Sequence, residues 1–129
     1  PPEFMGQVPL LQEALAAMSI PTITKEDYEA DDILATLATQ AAAEGFRVLV
    51  VSGDRDTIQL VTDDVTLLYP SARGVAELKR YDPDAVRERY GINPEQYPEI
   101  AALVGETSDN LPGIDKVGAK TAVKWITQY

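Results

Sequence analysis

Cysteine and histidine are both absent from the 129 residues. Without cysteine the chain has neither disulfides nor thiolate ligands, and without histidine it lacks the usual zinc ligand and the usual general base. Any catalysis must therefore rest on carboxylates. No apolar run approaches the roughly 20 residues of a membrane span, and the N-terminus lacks the charged start and apolar stretch of a signal peptide. A cytoplasmic protein with no membrane partner is the expectation. Basic residues are scarce: 11 Lys and Arg stand against 21 Asp and Glu, a net charge of −10. That balance argues against gripping nucleic acid over the whole surface. The acids concentrate in short clusters, however, and bound divalent cations would neutralise part of them. With 45% hydrophobic residues the chain can bury one core.

Apolar spacing and punctuation predict the elements. Val8, Leu11, Leu15 and Met18 fall three or four apart, marking a helix that ends before Pro21, and residues 20–24 read as a short extended piece. A second helix starts near Tyr28, with Ala30, Ile33, Leu34, Leu37, Ala38 and Ala41 on one face and Gly45 past its end. Residues 47–52 are a continuous apolar, β-branched run, the pattern of a central parallel strand buried on both faces. A helix feeding such a strand indicates an α/β layer fold. A short helix over 57–61, a strand over 65–69, and a strand or hairpin arm over 74–81 follow. Asp82-Pro83 and Asn93-Pro94 each set a capping side chain before a first-turn proline, predicting two helices, the first closed by Gly91. A glycine-bounded turn over 111–121 leads into a last helix through Trp125.

Three acidic clusters stand where the backbone enters or leaves these elements. Glu29, Asp31 and Asp32 occupy the first turn of the second helix and point away from its apolar face. Acids there favour the helix dipole by about 0.3–1 kcal/mol each, but three in four positions crowd like charges beyond that need. Asp54 and Asp56 follow the buried strand at its carboxyl end, where open α/β sheets place ligands; a Gly-Asp turn with solvated acids is the plainer reading. Glu106 and Asp109 form the third cluster. Oxygen-only ligand sets suit magnesium or manganese, and two such ions about 3.5–4 Å apart hydrolyse phosphodiesters without histidine.

Residues 113–121 follow a different logic. Gly113 and Gly118 allow a tight turn between helices, and the last helix then presents free N–H groups with Lys116, Lys120 and Lys124 nearby. A nucleotide P-loop is excluded, because the lysine comes one residue late and no buried strand precedes it. A helix-hairpin-helix that holds a DNA backbone fits better, with plain turn glycines as the alternative.

Tyr28-Glu29-Ala30-Asp31-Asp32, Ser52-Gly53-Asp54-Arg55-Asp56, Gly105 to Asn110 and Leu111 to Thr121 together resemble, in order and spacing, the 5′-nuclease family that includes flap endonucleases and the N-terminal domain of bacterial DNA polymerase I. The resemblance implies an α/β, PIN-like core with a parallel sheet flanked by helices over 1–104, and the start of a helix-hairpin-helix over 105–129. It implies metal ligation by Glu29, Asp31, Asp32, Asp54, Asp56, Glu106 and Asp109, with Asp32, Asp54 and Asp56 catalytic. It further implies DNA contacts at Gly113, Lys116, Gly118, Lys120, Thr121 and Lys124, and a potassium ion held by carbonyls of the hairpin turn. The implied activity is Mg2+- or Mn2+-dependent hydrolysis at 5′ ends, flaps or nicks of branched or nicked duplex DNA. No small-molecule cofactor is implied; a bacterial parent fused to a polymerase domain is. Position 106 carries glutamate where the family usually has aspartate, and the family's first strand, with its aspartate, and its helical arch have no counterpart here. A piece without them would be folded yet inactive. Two rivals remain: a haloacid dehalogenase-type phosphatase, for which Asp54-Arg55-Asp56-Thr57 imitates the nucleophile motif, and a non-catalytic DNA-binding module using the hairpin alone.

Overall fold

The computed structural model describes Phe4 and residues 6–71 and 73–129. They fall into two compact units, Pro1–Ile33 and Leu34–Tyr129. In the first, helix α1 (Val8–Ala17) carries a proline in its first turn and buries no side chain fully. Val8 and Leu15 are half-buried, whereas Leu11 and Met18 of the expected face stay exposed. Residues 20–24 join no strand, so the short extended piece is irregular loop. Helix α2 (Ala30–Ala43) begins at the end of this unit and continues into the second.

In the second unit, Leu34, Ala38 and Ala42 of α2 turn towards the core, and Gly45 follows at φ +87, the left-handed geometry that ends a helix cheaply in glycine. The sheet has the order β1 (Val48–Val51), β2 (Val65–Ser71), β3 (Gly74–Tyr81). Strands β1 and β2 are parallel, Val48 opposite Val65 and Val51 opposite Leu68. The β3 strand returns antiparallel as the second arm of a hairpin, pairing Tyr81 with Leu67.

One expectation is corrected here. Strand β1 is neither central nor buried on both faces: it lies at one edge of the three strands, with Leu49 58% and Val51 55% exposed while Val50 is buried. A continuous apolar run shows that both faces can be covered, but not that both are. The central strand is β2, whose Val65, Thr66 and Leu67 are buried. The core gathers Ala38, Val50, Ile58, Val61, Val65, Leu67, Tyr81, Val86, Ile92 and Tyr97.

The capping signals hold. Asp82 accepts from the Ala85 N–H at 2.9 Å at the start of α3 (Pro83–Tyr90), and Gly91 ends that helix at φ +73. At Asn93-Pro94 the chain makes a 3-10 turn, Pro94–Gln96, with Gln96 Oε1 accepting from the Asn93 N–H at 3.0 Å. Helix α4 (Tyr97–Val104) follows, and α5 (Ala119–Gln128) closes the chain with Ala122 buried. No helix among the described residues is long and apolar enough to cross a membrane.

Candidate metal centre

The chain leaves β1 through Ser52 and Gly53 into a 3-10 turn, Arg55–Leu60. Asp54 caps that turn, accepting from the Asp56 N–H at 2.9 Å, while its own N–H donates to Ser52 Oγ at 3.0 Å. The buried Thr57 hydroxyl donates to the Asp54 carbonyl. A run that reads as a solvated Gly-Asp turn is thus pinned, and Asp56 within it is half-buried.

The third acidic cluster comes from the far end of α4. Glu106 and Leu111 exchange two backbone hydrogen bonds, each 2.9 Å, closing residues 106–111 into a small loop. Asn110 takes the left-handed conformation at its turn, and the Asp109 N–H donates to the Glu106 carbonyl at 3.2 Å. The loop is locked by a crossing of two backbones. A Cβ on Gly105, at φ +83, would lie 2.7 Å from the Gly113 nitrogen and the Leu111 oxygen. A Cβ on Gly113, at φ +64, would collide with the Val104 carbonyl. The Ile114 N–H bonds the Leu103 carbonyl at 2.8 Å across the same crossing. Gly113 therefore has a packing task that sequence alone assigns to a DNA-contacting turn, and Gly105 has a task that sequence reasoning missed, although a glycine at the end of a helix is the signal for it.

These elements bring Asp56, Glu106 and Asp109 together, each with a carboxylate oxygen within 4.8 Å of the others. Glu106 titrates above its ordinary range, mainly because burial disfavours its charge and then because Asp56, Asp109 and Asp54 repel it; Arg55 opposes the shift. Asp54 thus adjoins the cluster electrostatically. Three convergent oxygen donors whose mutual repulsion is already visible in Glu106 fit a hard divalent cation. Glu29, Asp31 and Asp32 lie exposed around the start of α2 in the first unit, where an Asp32 oxygen accepts from the Glu29 N–H at 2.9 Å.

Beside the cluster is a cavity of ≈350 Å³ lined by Arg55, Tyr90, Tyr97, Glu106, Thr107 and Ser108, among others. Larger hollows border α1 (≈660 Å³) and the groove between α4 and α5 (≈740 Å³), but neither holds converging acids. Chemistry, not size, marks the site. A series of rings, Tyr69, Tyr81, Tyr90 and Tyr97, runs from β2 towards it, with centroids 6.3, 6.1 and 5.8 Å apart. The Tyr97 hydroxyl is pushed up to about 12, by burial first and then by Glu106, so it stays protonated and able to donate. No sequence signal distinguishes Tyr97 from an ordinary core aromatic.

In the turn between α4 and α5, Lys116 adopts φ +63, and its ammonium lies 3.9 Å from the Asp115 carboxylate, an exposed pair of little energetic weight. Lys120 and Lys124 are exposed on α5, and Thr121 is half-buried. Gly118 stands before the first helical residue at φ −99, and a Cβ there would meet open space.

Residues 1–91 match the family described as 5′-3′ exonuclease, N-terminal resolvase-like domain, and residues 92–129 match the 5′-3′ exonuclease, C-terminal SAM fold. The chain belongs to the 5′-3′ exonuclease family. All 129 residues align with DNA polymerase I of Mycobacterium tuberculosis at 59% identity, and with that of Bacillus subtilis at 44%, in each case over 14% of the polymerase's length. Among solved structures, a mutant T5 5′-exonuclease superposes with a TM-score of 0.76 at 26% identity, over 90% of this chain and 46% of that one. A zinc-bound T5 5′-exonuclease and a T5 flap endonuclease in a pseudo-enzyme-product complex with DNA and metal ions superpose equally well, at 26% and 25% identity, each over 90% of this chain and 41% of theirs. The α/β core followed by a helical hairpin is therefore the 5′-exonuclease fold.

Proposed function

We propose that this chain carries the metal-binding side of a 5′ nuclease that hydrolyses phosphodiesters at 5′ ends, flaps or nicks in duplex DNA, within a cytoplasmic bacterial DNA polymerase I. The observation that carries the reading is the convergence of Asp56, Glu106 and Asp109, with Asp54 close enough to perturb Glu106. Asp54, Asp56, Glu106 and Asp109 would hold magnesium or manganese. Bound ions supply activation of a water and stabilisation of the leaving oxygen. The chain's own residues hold the ligands still: Asp54 through its cap, and Glu106 and Asp109 through the Gly105–Gly113 crossing. The glutamate at 106, where the family usually has aspartate, takes part in the cluster. A phosphatase reading assigns no task to Glu29, Asp31 and Asp32, nor to the glycine-lysine hairpin.

Thermal unfolding with and without millimolar manganese tests the metal reading, since an ion bound by the folded state alone raises the midpoint. The pH dependence has a definite sign. Glu106 titrates above its ordinary range in the folded chain. Without metal, its contribution to stability is therefore present below the unfolded carboxylate pKa and lost as pH rises through the raised value. Manganese offsets that loss, so its stabilisation is expected to be largest near pH 7 and to shrink towards pH 5. A manganese effect that is absent, or independent of pH, would remove the cluster from consideration as a metal site.

The hairpin is assigned to the DNA backbone, with Gly113, Lys116, Gly118, Lys120, Thr121 and Lys124 in contact and a potassium ion at its carbonyls. The open space at Gly118 and the exposed lysines support this. Lys120→Ala is expected to weaken duplex binding at every sequence and to lower the slope of log affinity against log salt by about one. An unchanged slope would move the DNA path elsewhere.

A further inference from the structure

The acid site contains one cation that the metal reading does not use. Arg55 stands between Asp54 and Asp56 and lines the ≈350 Å³ cavity with Glu106, Thr107 and Ser108. Tyr69 on β2 is its principal electrostatic neighbour. That proximity follows from the sheet register: Val51 at the end of β1 pairs with Leu68, so the turn that follows β1 passes beside the next residue of β2. Tyr69 is in turn packed edge-on to Tyr81, with centroids 6.3 Å apart. The base of the side chain is fixed by the Asp54 cap and the Thr57 hydroxyl.

A guanidinium offers five N–H donors in a planar fork. With Tyr69 as its neighbour, the fork still has donors that can face the cavity. A wall of carboxylates attracts cations and repels phosphate. Once cations fill it, an incoming phosphate still has oxygens to satisfy, and a guanidinium can hold two of them at once. The hydroxyls of Thr107 and Ser108 line the same space.

We propose that Arg55, on the wall of this cavity, is the phosphate-holding cation of the site, a positioning residue that grips a non-bridging oxygen of the substrate or the 5′-phosphate of the product beside Asp56, Glu106 and Asp109. This rests on the nuclease reading above. The competing role is a plain countercharge, present only to temper repulsion among the acids. The two roles differ in sign.

Calorimetric titration of the full chain with manganese, and of the magnesium-loaded chain with inorganic phosphate, separates them. In Arg55→Met, loss of a positive charge is expected to tighten manganese binding roughly three- to tenfold. Phosphate binding to the loaded chain is expected to weaken about tenfold or more, and Arg55→Lys should restore part of it. Deoxyadenosine 5′-monophosphate is expected to lose as much as inorganic phosphate does, placing the contact on the phosphate rather than the base. Tighter manganese binding with unchanged phosphate binding would reduce Arg55 to a countercharge and overturn the proposal. Weakening of both ligands, unrescued by Arg55→Lys, would also overturn it, since that is the signature of a damaged turn. An unmutated chain that binds no manganese would overturn the metal reading itself, and the proposal with it.

Discussion

Asp54→Ala is expected to reduce cleavage of a 5′-flap substrate by the full-length parent by about 10³-fold or more, while duplex affinity changes little. The carboxylate caps the turn that aims Asp56 and adds its charge to the cluster around Glu106, so its removal disturbs two acids at once. Phosphate contacts in the hairpin, by contrast, position the duplex through other residues. Single-turnover cleavage paired with equilibrium binding measures the separation. Asp54→Asn is the useful companion, because an asparagine oxygen preserves the cap but not the charge. If Asp54→Asn cleaved at the unmutated rate, the residue's role would be the turn alone.

The second large effect is on stability. Gly113→Ala is expected to destabilise the second unit by about 3 kcal/mol or more, combining left-handed strain with a collision against the Val104 carbonyl. For a domain of this size that lowers the unfolding midpoint by roughly 10 °C or more. The manganese-induced rise should be lost with it, because the crossing at Gly105 and Gly113 holds the loop that carries Glu106 and Asp109. Gly118→Ala is the control: its φ is −99 and a Cβ there meets open space, so its midpoint should stay within a degree or two of the unmutated chain. Similar stability for the two alanine variants would show that the backbones do not cross as described.

Much of this fold is legible in the sequence, and the reasons are local. Asp82-Pro83 and Gly91 bracket α3 because a capping oxygen and a left-handed glycine are single-residue requirements. The carboxyl end of β1 is where Asp54 and Asp56 stand, because a strand leading into a turn has a recognisable composition. What the sequence does not convey is which face of an apolar strand receives a cover. Leu49 and Val51 have the same hydrophobicity whether covered or open, and only the arrangement of other elements decides. The pairing of Asp56 with Glu106 and Asp109 is also beyond local reading: Glu106 stands fifty positions after Asp56, and their meeting depends on the backbone crossing at Gly105 and Gly113. Arg55 and Tyr97 were hidden for the same reason, since an arginine in a turn and a tyrosine in a helix carry no mark of the neighbours that give them a role.

The most direct measurement is a manganese soak of crystals of this chain, read by anomalous diffraction. The expected result is a peak within coordination distance of carboxylate oxygens of Asp56, Glu106 and Asp109. A map with no peak there, or with its strongest peak at an exposed pair such as Asp63 and Asp64, would contradict the assignment of this cluster as the metal centre.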